Sequence, residues 1–407
     1  MPLPSYKAVL GVALDLVKGQ LAAPVTSAST SMTLVNTKGT TGTLTTAGAN
    51  YTALVFDGYT FETVACSGNL NASTGVISTA SPVNSHSEWI RVSFVLTSLL
   101  NSGSWPTLMP VEDFKPSDTY EALFDTAHRG WMAEQVGAEL GVRTGDVEFS
   151  GAVFPITFGY VLGAMFGSVD TAGPSPAYNY AFATTNVGDG QPDDILLFSY
   201  DAYNTRVTSG RLTDLTITAD PGQLIKYTAK ALCRASGVIS GLDNTKFSTP
   251  DVNPIQAWTG KATIGGSDVG KTLTFDVTFA RSQSEAIKSL SGTPDPWTIW
   301  VGALTAAGKF ALVFDDDTQQ NNYIQGSGPI VDFKWTRGTG VSTVGLEVHM
   351  QECWYTKALV VPFGKSYVTN EVDYTTIANS TDATTSGTGG SVAKVTLTNG
   401  TSGTVYV

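Results

Sequence analysis

The sequence predicts a mainly β protein, built as two tandem β-sandwich domains with few short helices and an inserted small β-module. Three observations carry that reading. The chain of 407 residues is rich in threonine and in glycine, of which there are 42, and only 14 % of it is charged. β-branched and turn residues favour strands and tight connections over helices, and the charged fraction is well below the ~25 % usual for a soluble domain. Apolar residues also alternate with polar ones in period-two runs. Leu273, Phe275, Val277 and Phe279 form one, and Val344, Leu346, Val348 and Met350 another. That is the pattern of strands with one buried face. The third observation is a recurring pattern. Gly210-Arg-Leu212-Thr-Asp214-Leu215-Thr-Ile217, with Gly222 beyond, is matched by Gly328-Pro-Ile330-Val-Asp332-Phe333-Lys-Trp335, with Gly340 beyond. Each runs on into an alternating strand. A looser match pairs Gly145-Asp-Val147-Glu-Phe149 with Gly308-Lys-Phe310-Ala-Leu312. Such self-similarity reads as a duplicated β-unit.

In chain order, Met1-Pro-Leu-Pro4 has no basic start leading into an apolar run, so no signal peptide is expected. No run of ~18 apolar residues suggests a membrane span. Residues 29–97 are rich in Thr, Ser, Gly and Asn with nearly balanced charge. They read as an inserted outer module with strands at 32–34, 51–56, 61–64, 75–78 and 89–94. Residues 1–28 and 98–238 make the first domain, whose second part holds 16 acidic and 8 basic residues. Within it, 156–167 is apolar nearly all round and ends at Gly167, which predicts a short buried helix. Residues 239–257 have the Gly, Pro and Asn content of a linker into the second domain, 239–407. There, 282–290 suggests one or two helical turns, 315–317 a solvated turn, and 381–390 a loop before a last strand at 392–397.

Charge and residue chemistry exclude several functions. Lys plus Arg number 23 and Asp plus Glu 35, for a net charge of −12. A protein that grips nucleic acid by its phosphates needs the opposite sign. Cys66, Cys233 and Cys353 are too few and too scattered for a disulfide framework or a zinc site. The three histidines, His86, His128 and His349, belong to no HExxH motif, and no G-x-S-x-G or Walker loop occurs. Asp315-Asp316-Asp317 lacks the spacing of a calcium loop. Glu112-Asp113 and Asp193-Asp194 are adjacent pairs, which strands send to opposite faces. The eight tryptophans have no interleaved basic residues, so they read as core or interface anchors. No catalytic, cofactor-binding or metal site is expected, and the chain does not read as an enzyme.

Several segments, in their order along the chain, resemble the major tail proteins (tail tube proteins) of long non-contractile-tailed bacteriophages. Gly11-Val-Ala-Leu14 to Thr26 is similar to the opening strand and loop of that family, and Leu108-Met-Pro-Val111 to its approach to the tube domain. Gly145 to Phe154, then Leu162 to Gly167, resembles its strand-then-helix unit. Gly210 to Cys233 resembles its paired closing strands. Gly364-Lys-Ser-Tyr-Val368, Ala378-Asn-Ser-Thr-Asp382 and Val392 to Asn399 look like the C-terminal signature of actinobacterial-phage members. The block 29–97 departs from the family pattern.

The resemblance implies tail-tube-type β-sandwich domains in a structural protein whose rings stack into the phage tail tube, through which genomic DNA passes into the host. It implies self-association as a trimeric ring with pseudo-sixfold symmetry, since each chain would supply two of six positions. It further implies a tape measure protein and other tail proteins as partners, DNA passing without specific binding, and a place in the virion tail after synthesis in the host bacterial cytoplasm. An acidic wall repels DNA within a Debye length. The acidic excess of the first domain makes Glu148 and Asp214 the leading lumen-facing candidates. The alternative is a β-sandwich adhesin or decoration protein binding host surface glycans, which the Thr/Ser-rich module favours.

Overall fold

A computed structural model describes most of residues 9–96, 107–126, 137–239 and 253–400, with short breaks inside these spans, and Tyr406. Among the described residues the fold is mainly β, as composition and period-two runs predict, with two α-helices.

Eight strands form one continuous antiparallel sheet, in two sets of four. The first set is β9 (Asp113–Asp125), β10 (Gly137–Ala152), β14 (Thr205–Ala219) and β15 (Lys226–Cys233). The second is β19 (Thr272–Arg281), β22 (Leu304–Val313), β25 (Cys353–Val361) and β26 (Thr369–Thr376). The first lies in the order β9–β10–β15–β14 and the second in the order β19–β22–β26–β25. Each set is therefore two hairpins, with the last strand of the second laid beside the first. The sets join where β14 pairs with β19. Alternation explains the strands. Phe149, Ala229 and Leu215 in one set, and Phe275, Phe310 and Val372 in the other, are buried in register with their neighbours.

The two sets align residue by residue. A β-bulge interrupts β14 between Leu212 and Asp214, and another interrupts β25 between Tyr355 and Lys357. Matching Thr213 to Thr356 brings Phe114, Phe149, Ala229 and Leu215 onto Phe275, Phe310, Val372 and Ala358 through the registers. The Gly/Asp pattern of the sequence follows another path and is a correction. Gly210 to Ile217 lies in β14, whereas Gly328 to Trp335 leads into β23 (Val331–Arg337) of a different sheet. A glycine followed by alternating apolar residues encodes any half-buried strand, in either sheet. The looser match, around Gly145 and Gly308, does fall on equivalent strands, two residues out of register.

The second sheet runs β11 (Gly167–Ala172), β12 (Tyr178–Thr184), β27 (Lys394–Asn399), β24 (Val344–Met350), β23, β17 (Gly260–Ile264), β18 (Ser267–Val269). The C-terminal β27 stitches the β11–β12 hairpin to the β23–β24 hairpin. Helix α1 (Phe158–Phe166) precedes the first hairpin and α2 (Thr318–Gln325) the second. One hydrophobic core runs through both sets. In the first set β13 (Asp194–Tyr200) adds to β14, β1 (Val9–Asp15) to β13, and β8 (Thr107–Met109) to β1. The strands β2 (Lys18–Leu21), β3 (Ser31–Lys38), β4 (Tyr51–Phe56), β5 (Thr60–Ala65), β6 (Val76–Ser78) and β7 (Arg91–Leu96) pair among themselves around a separate core that includes Leu21, Leu34, Val55 and Ile77. Strand β5 pairs with β16 (Gly237–Ile239) in a short parallel pair.

The 156–167 helix is present as α1. All nine of its residues are buried, and it ends at Gly167 with φ of 84°, a left-handed turn that glycine adopts without strain. The carbonyl of Met165 accepts Nε and Nη2 of Arg281 at 3.1 and 2.7 Å, so a cation from the second set closes the helix of the first. Residues 282–290 are not helical. Gln283 has φ of 54°, and β20 (Glu285–Ile287) pairs with β21 (Thr298–Trp300). Helix α2 was missed because it has no apolar stripe, its Tyr323 and Ile324 being adjacent and exposed; it starts where Asp316 Oδ1 accepts the Thr318 amide at 3.0 Å. Most of the 239–257 linker, His86 and His128 lie outside the described residues.

The Tyr406 ring lies flat against α1 at Gly159, where a Cβ would fall 2.4 Å from it. Gly159→Ala should displace the ring and cost about 1–3 kcal/mol by overpacking. Gly222→Ala, with nothing within 4 Å, should be near neutral. Denaturant midpoints of the two variants decide the point.

Candidate functional site

The face of the eight-stranded sheet turned away from the core carries three rows of side chains. The middle row crosses all eight strands: Asp113, Ser150, Thr228, Thr216, Thr278, Ala307, Thr375 and Trp354 stand opposite one another in turn. Where the sets join, the Thr216 and Thr278 hydroxyls share a hydrogen bond of 2.9 Å. Two residues to one side, the first set carries Lys115, Glu148, Lys230 and Asp214. Two residues to the other side, the second set carries Asp276, Lys309, Asp373 and Lys357. These rows occupy equivalent positions with every sign reversed.

Glu148, Lys230, Asp276 and Asp373 face outward because core residues flank each along its own strand, as in Val147-Glu148-Phe149 and Phe275-Asp276-Val277. Lys230 Nζ is 3.6 Å from Glu148 Oε2, and Lys357 Nζ is 3.9 Å from Asp373 Oδ2. Beside the rows, Lys226 meets Glu112 at 2.9 Å, and Lys115 is bonded to Asp113. The hydrogen bond to Asp113 raises the Lys115 pKa. Burial raises the Asp276 carboxyl and the facing Lys309 opposes the rise.

Both sequence-predicted residues, Glu148 and Asp214, lie on this face, in one row, on either side of Lys230. The lysines between them were missed. Their signal is a basic residue set singly between two core positions of a period-two strand, as in Ala229-Lys230-Ala231 and Gly308-Lys309-Phe310.

The outer edges of this sheet are β9 and β25. Alternating directions across eight antiparallel strands make them antiparallel to one another. Edge position suits Pro116, which has no amide hydrogen to give a second neighbour. Toward its turn the β9–β10 hairpin exposes Tyr120, Leu123, Phe124 and Leu140, each about half accessible. The same stretch is braced by the β20–β21 connection: Arg143 grips Asp295 with two hydrogen bonds, of 2.6 and 3.1 Å, and Lys288 meets Glu121 at 3.2 Å.

His349 pairs through Nδ1 with the fully buried Asp382 at 2.6 Å. Asp382 also accepts the Gln351 amide and Asn379 Nδ2, both at 2.9 Å. The hydrogen bond to Asp382 raises the His349 pKa, against burial. The stabilisation is thus complete below the ordinary value near 6.5 and is lost as pH rises through the folded value. His349→Gln should therefore lower the denaturation midpoint more at pH 5.5 than at pH 9. Equal losses at both would contradict the charged pair.

Among the described residues no group of three or more His, Cys, Asp or Glu is placed to hold a metal ion, and no helix is long and apolar enough to cross a membrane. No curated protein matches the chain. A family model described as phage tail tube protein matches residues 132–399, a span that takes in β10 to β27 and so seven of the eight sheet strands. With that span covering well over half of its length, the chain belongs to the phage tail tube protein family.

Proposed function

We propose that three copies of this chain close into a ring, that the eight-stranded sheets merge into the ring's inner wall, and that stacked rings form the tail tube through which DNA passes. The observation that carries this is the repeated strand order with its single internal junction. The pairing of β14 with β19 shows how the trailing edge of one set receives the leading edge of the next. The same antiparallel geometry is open to β25 and the β9 of another copy.

The stagger of the sets supports closure. Ala280 stands opposite Asp214, yet Asp276 is the counterpart of Lys115, so each set is shifted four residues against the one before. One residue of shift per strand is the ratio of an eight-stranded α/β barrel, whose strands tilt ~36°. Three chains of eight strands, spaced ~4.8 Å and tilted so, would close on a circle about 45 Å across at the backbone. On this reading Glu148 and Asp214 face the lumen, and the module of residues 29–97, whose separate core also takes in Leu21 and Val25, lies outside the wall. The apolar end of the β9–β10 hairpin meets the next ring. The tape measure protein is the partner inside the growing tube, the phage is of the long non-contractile-tailed, actinobacterial type, and the chain is made in the host cytoplasm. Electron microscopy of the purified protein tests the proposal: rings of three chain masses are expected, and true sixfold rings of six chains would overturn it.

A further inference from the structure

We infer that the joint between neighbouring copies is apolar where the matching joint inside the chain is polar, with Tyr120 and Leu140 of one copy docked on Ile324, Trp354 and Ile377 of its neighbour; this rests on the reading of the chain as a ring subunit. The internal joint shows what covers each surface. There the connection from β19 to β22 lies over the end of the first set. The carbonyls of Pro296 and Trp297 accept Arg234, Gln191 bridges Arg211 to the Val301 backbone, and Arg281 closes α1 at the Met165 carbonyl.

The alignment of the two sets carries each of these groups to a counterpart. Continuing the Phe114–Phe275 and Phe149–Phe310 matches puts Tyr120 at the position of Arg281 and Leu140 at that of Val301. Two glycines agree with it. A Cβ on Gly141 would fall 3.0 Å from the Glu121 carbonyl oxygen, and one on Gly302 would fall closest to the carbonyl oxygen of Ser282, the counterpart of Glu121. The match of Thr213 to Thr356 puts Trp354 at the position of Arg211, and the pairing of β15 and β26 puts Ile377 at that of Arg234. The Arg234 amide donates to the Ser209 carbonyl and the Ile377 amide to the Glu352 carbonyl, again equivalent places. Helices α1 and α2 pack on β14 and β25, the equivalent strands, and each ends at a left-handed glycine, so Ile324 stands where Met165 does.

Inside the chain these positions are buried or nearly so. Their counterparts are bare: Tyr120, Leu140, Trp354 and Ile377 are about half exposed, and Ile324 more so. Both sides of the open joint differ from the internal one in the same sense. Tryptophan and isoleucine replace the arginines on one side. On the other, Tyr120, Ala122, Phe124, Ala138 and Leu140 share one face of the β9–β10 hairpin. The chemistry suits the task. Arginines at these places on a free chain would be hydrated, and docking would have to strip that water away. Apolar groups gain from the same step. Of the apolar residues the hairpin exposes, Tyr120 and Leu140 thus belong to the neighbour in the same ring, and Leu123 and Phe124, closer to the turn, are left for the next ring.

Photocrosslinking in the assembled full chain tests the inference. A benzophenone amino acid replaces Leu140, and mass spectrometry reads the residues it captures on other chains, in isolated rings and in tubes. Capture at Trp354 or Ile377 is expected in both. Leu140→Asp should raise the chain concentration at half ring closure at least about tenfold, the scale set by burying one large apolar side chain. Leu140→Met, which keeps an apolar side chain, should leave it near the unmodified value. Rings in which position 140 captures other residues, or captures a second chain only in tubes, overturn the inference and leave the ring standing. Rings that close equally well with Leu140→Asp and Leu140→Met do the same. Chains that never assemble into rings overturn the ring reading, and the inference with it.

Discussion

Cysteines placed at Ser117 and Leu359 will lock three chains into a covalent ring under mild oxidation. The expectation follows from the internal junction. The bulge alignment makes Leu359 the counterpart of Thr216, and the Phe114–Phe275 match makes Ser117 the counterpart of Thr278. Thr216 and Thr278 face one another closely enough to share a hydrogen bond of 2.9 Å. If β25 meets the β9 of the next copy as β14 meets β19, the two new thiols stand as a cross-strand pair. Cβ separations there are ~4.5–5.5 Å, close to the ~3.5–4.5 Å a disulfide spans. The native thiols offer little competition: Cys66, Cys233 and Cys353 are all buried, and burial pushes Cys66 up to about 12 and the other two higher still. A non-reducing gel should show a band of three chains that reduction returns to one, and neither single cysteine should give it. A ladder ending at six chains would mean a sixfold ring. No cross-link at this pair, but one between neighbours a residue away, would mean a different register, and a one-residue slip turns every side chain to the other face.

The parts of this fold that were legible in the sequence are those set by local patterning. Thr272–Arg281 and Val344–Met350 follow directly from period-two alternation, and α1 from an apolar run closed by Gly167. The duplication was legible in kind but misplaced in detail, because Gly210 and Gly328 mark strands of different sheets. What pairs with what is decided by long-range registers, and those leave little local trace. The bulges at Thr213 and Thr356, which reveal the true alignment, emerge only once each strand is paired with the next one along the chain, β15 and β26. The candidate site behaves the same way. Glu148 and Asp214 could be picked as acids on strands, but their common neighbour Lys230 becomes visible only once β10, β15 and β14 lie side by side. Helix α2 carries no apolar stripe, so nothing in residues 318–325 announces it.

Asp194→Ala will cost about 3–5 kcal/mol of stability, the range for removing one partner of a buried ion pair. Asp194 opens β13 and is almost fully buried. Arg211 on β14 donates Nε to its Oδ1 at 2.7 Å, and Arg234, just past β15, brings Nη1 within 3.8 Å of Oδ2. Burial lowers the Arg234 pKa, and Asp194 and Asp295 oppose that shift. The same cluster reaches the segment that leads from β21 into β22. Arg211 Nη1 donates to Gln191 Oε1 at 2.5 Å, Gln191 Nε2 donates to the Val301 carbonyl at 2.8 Å, and Gln191 Oε1 accepts the Val301 amide at 2.9 Å. Alanine would leave two guanidinium groups out of water with one of their carboxylates gone. Against a total stability of ~5–15 kcal/mol for a typical domain, such a loss is large. Asn in the same place keeps an acceptor for Arg211 and should cost less. Glu347→Gln at the exposed Lys334 pair, 2.6 Å apart, should cost no more than about 1 kcal/mol. Denaturant midpoints for the three variants should therefore fall in the order Glu347→Gln, Asp194→Asn, Asp194→Ala. If Asp194→Ala matched the exposed variant, solvent would have to reach Arg211 and Arg234. In that case the joint between the sets would be held by the β14–β19 ladder and the shared core alone.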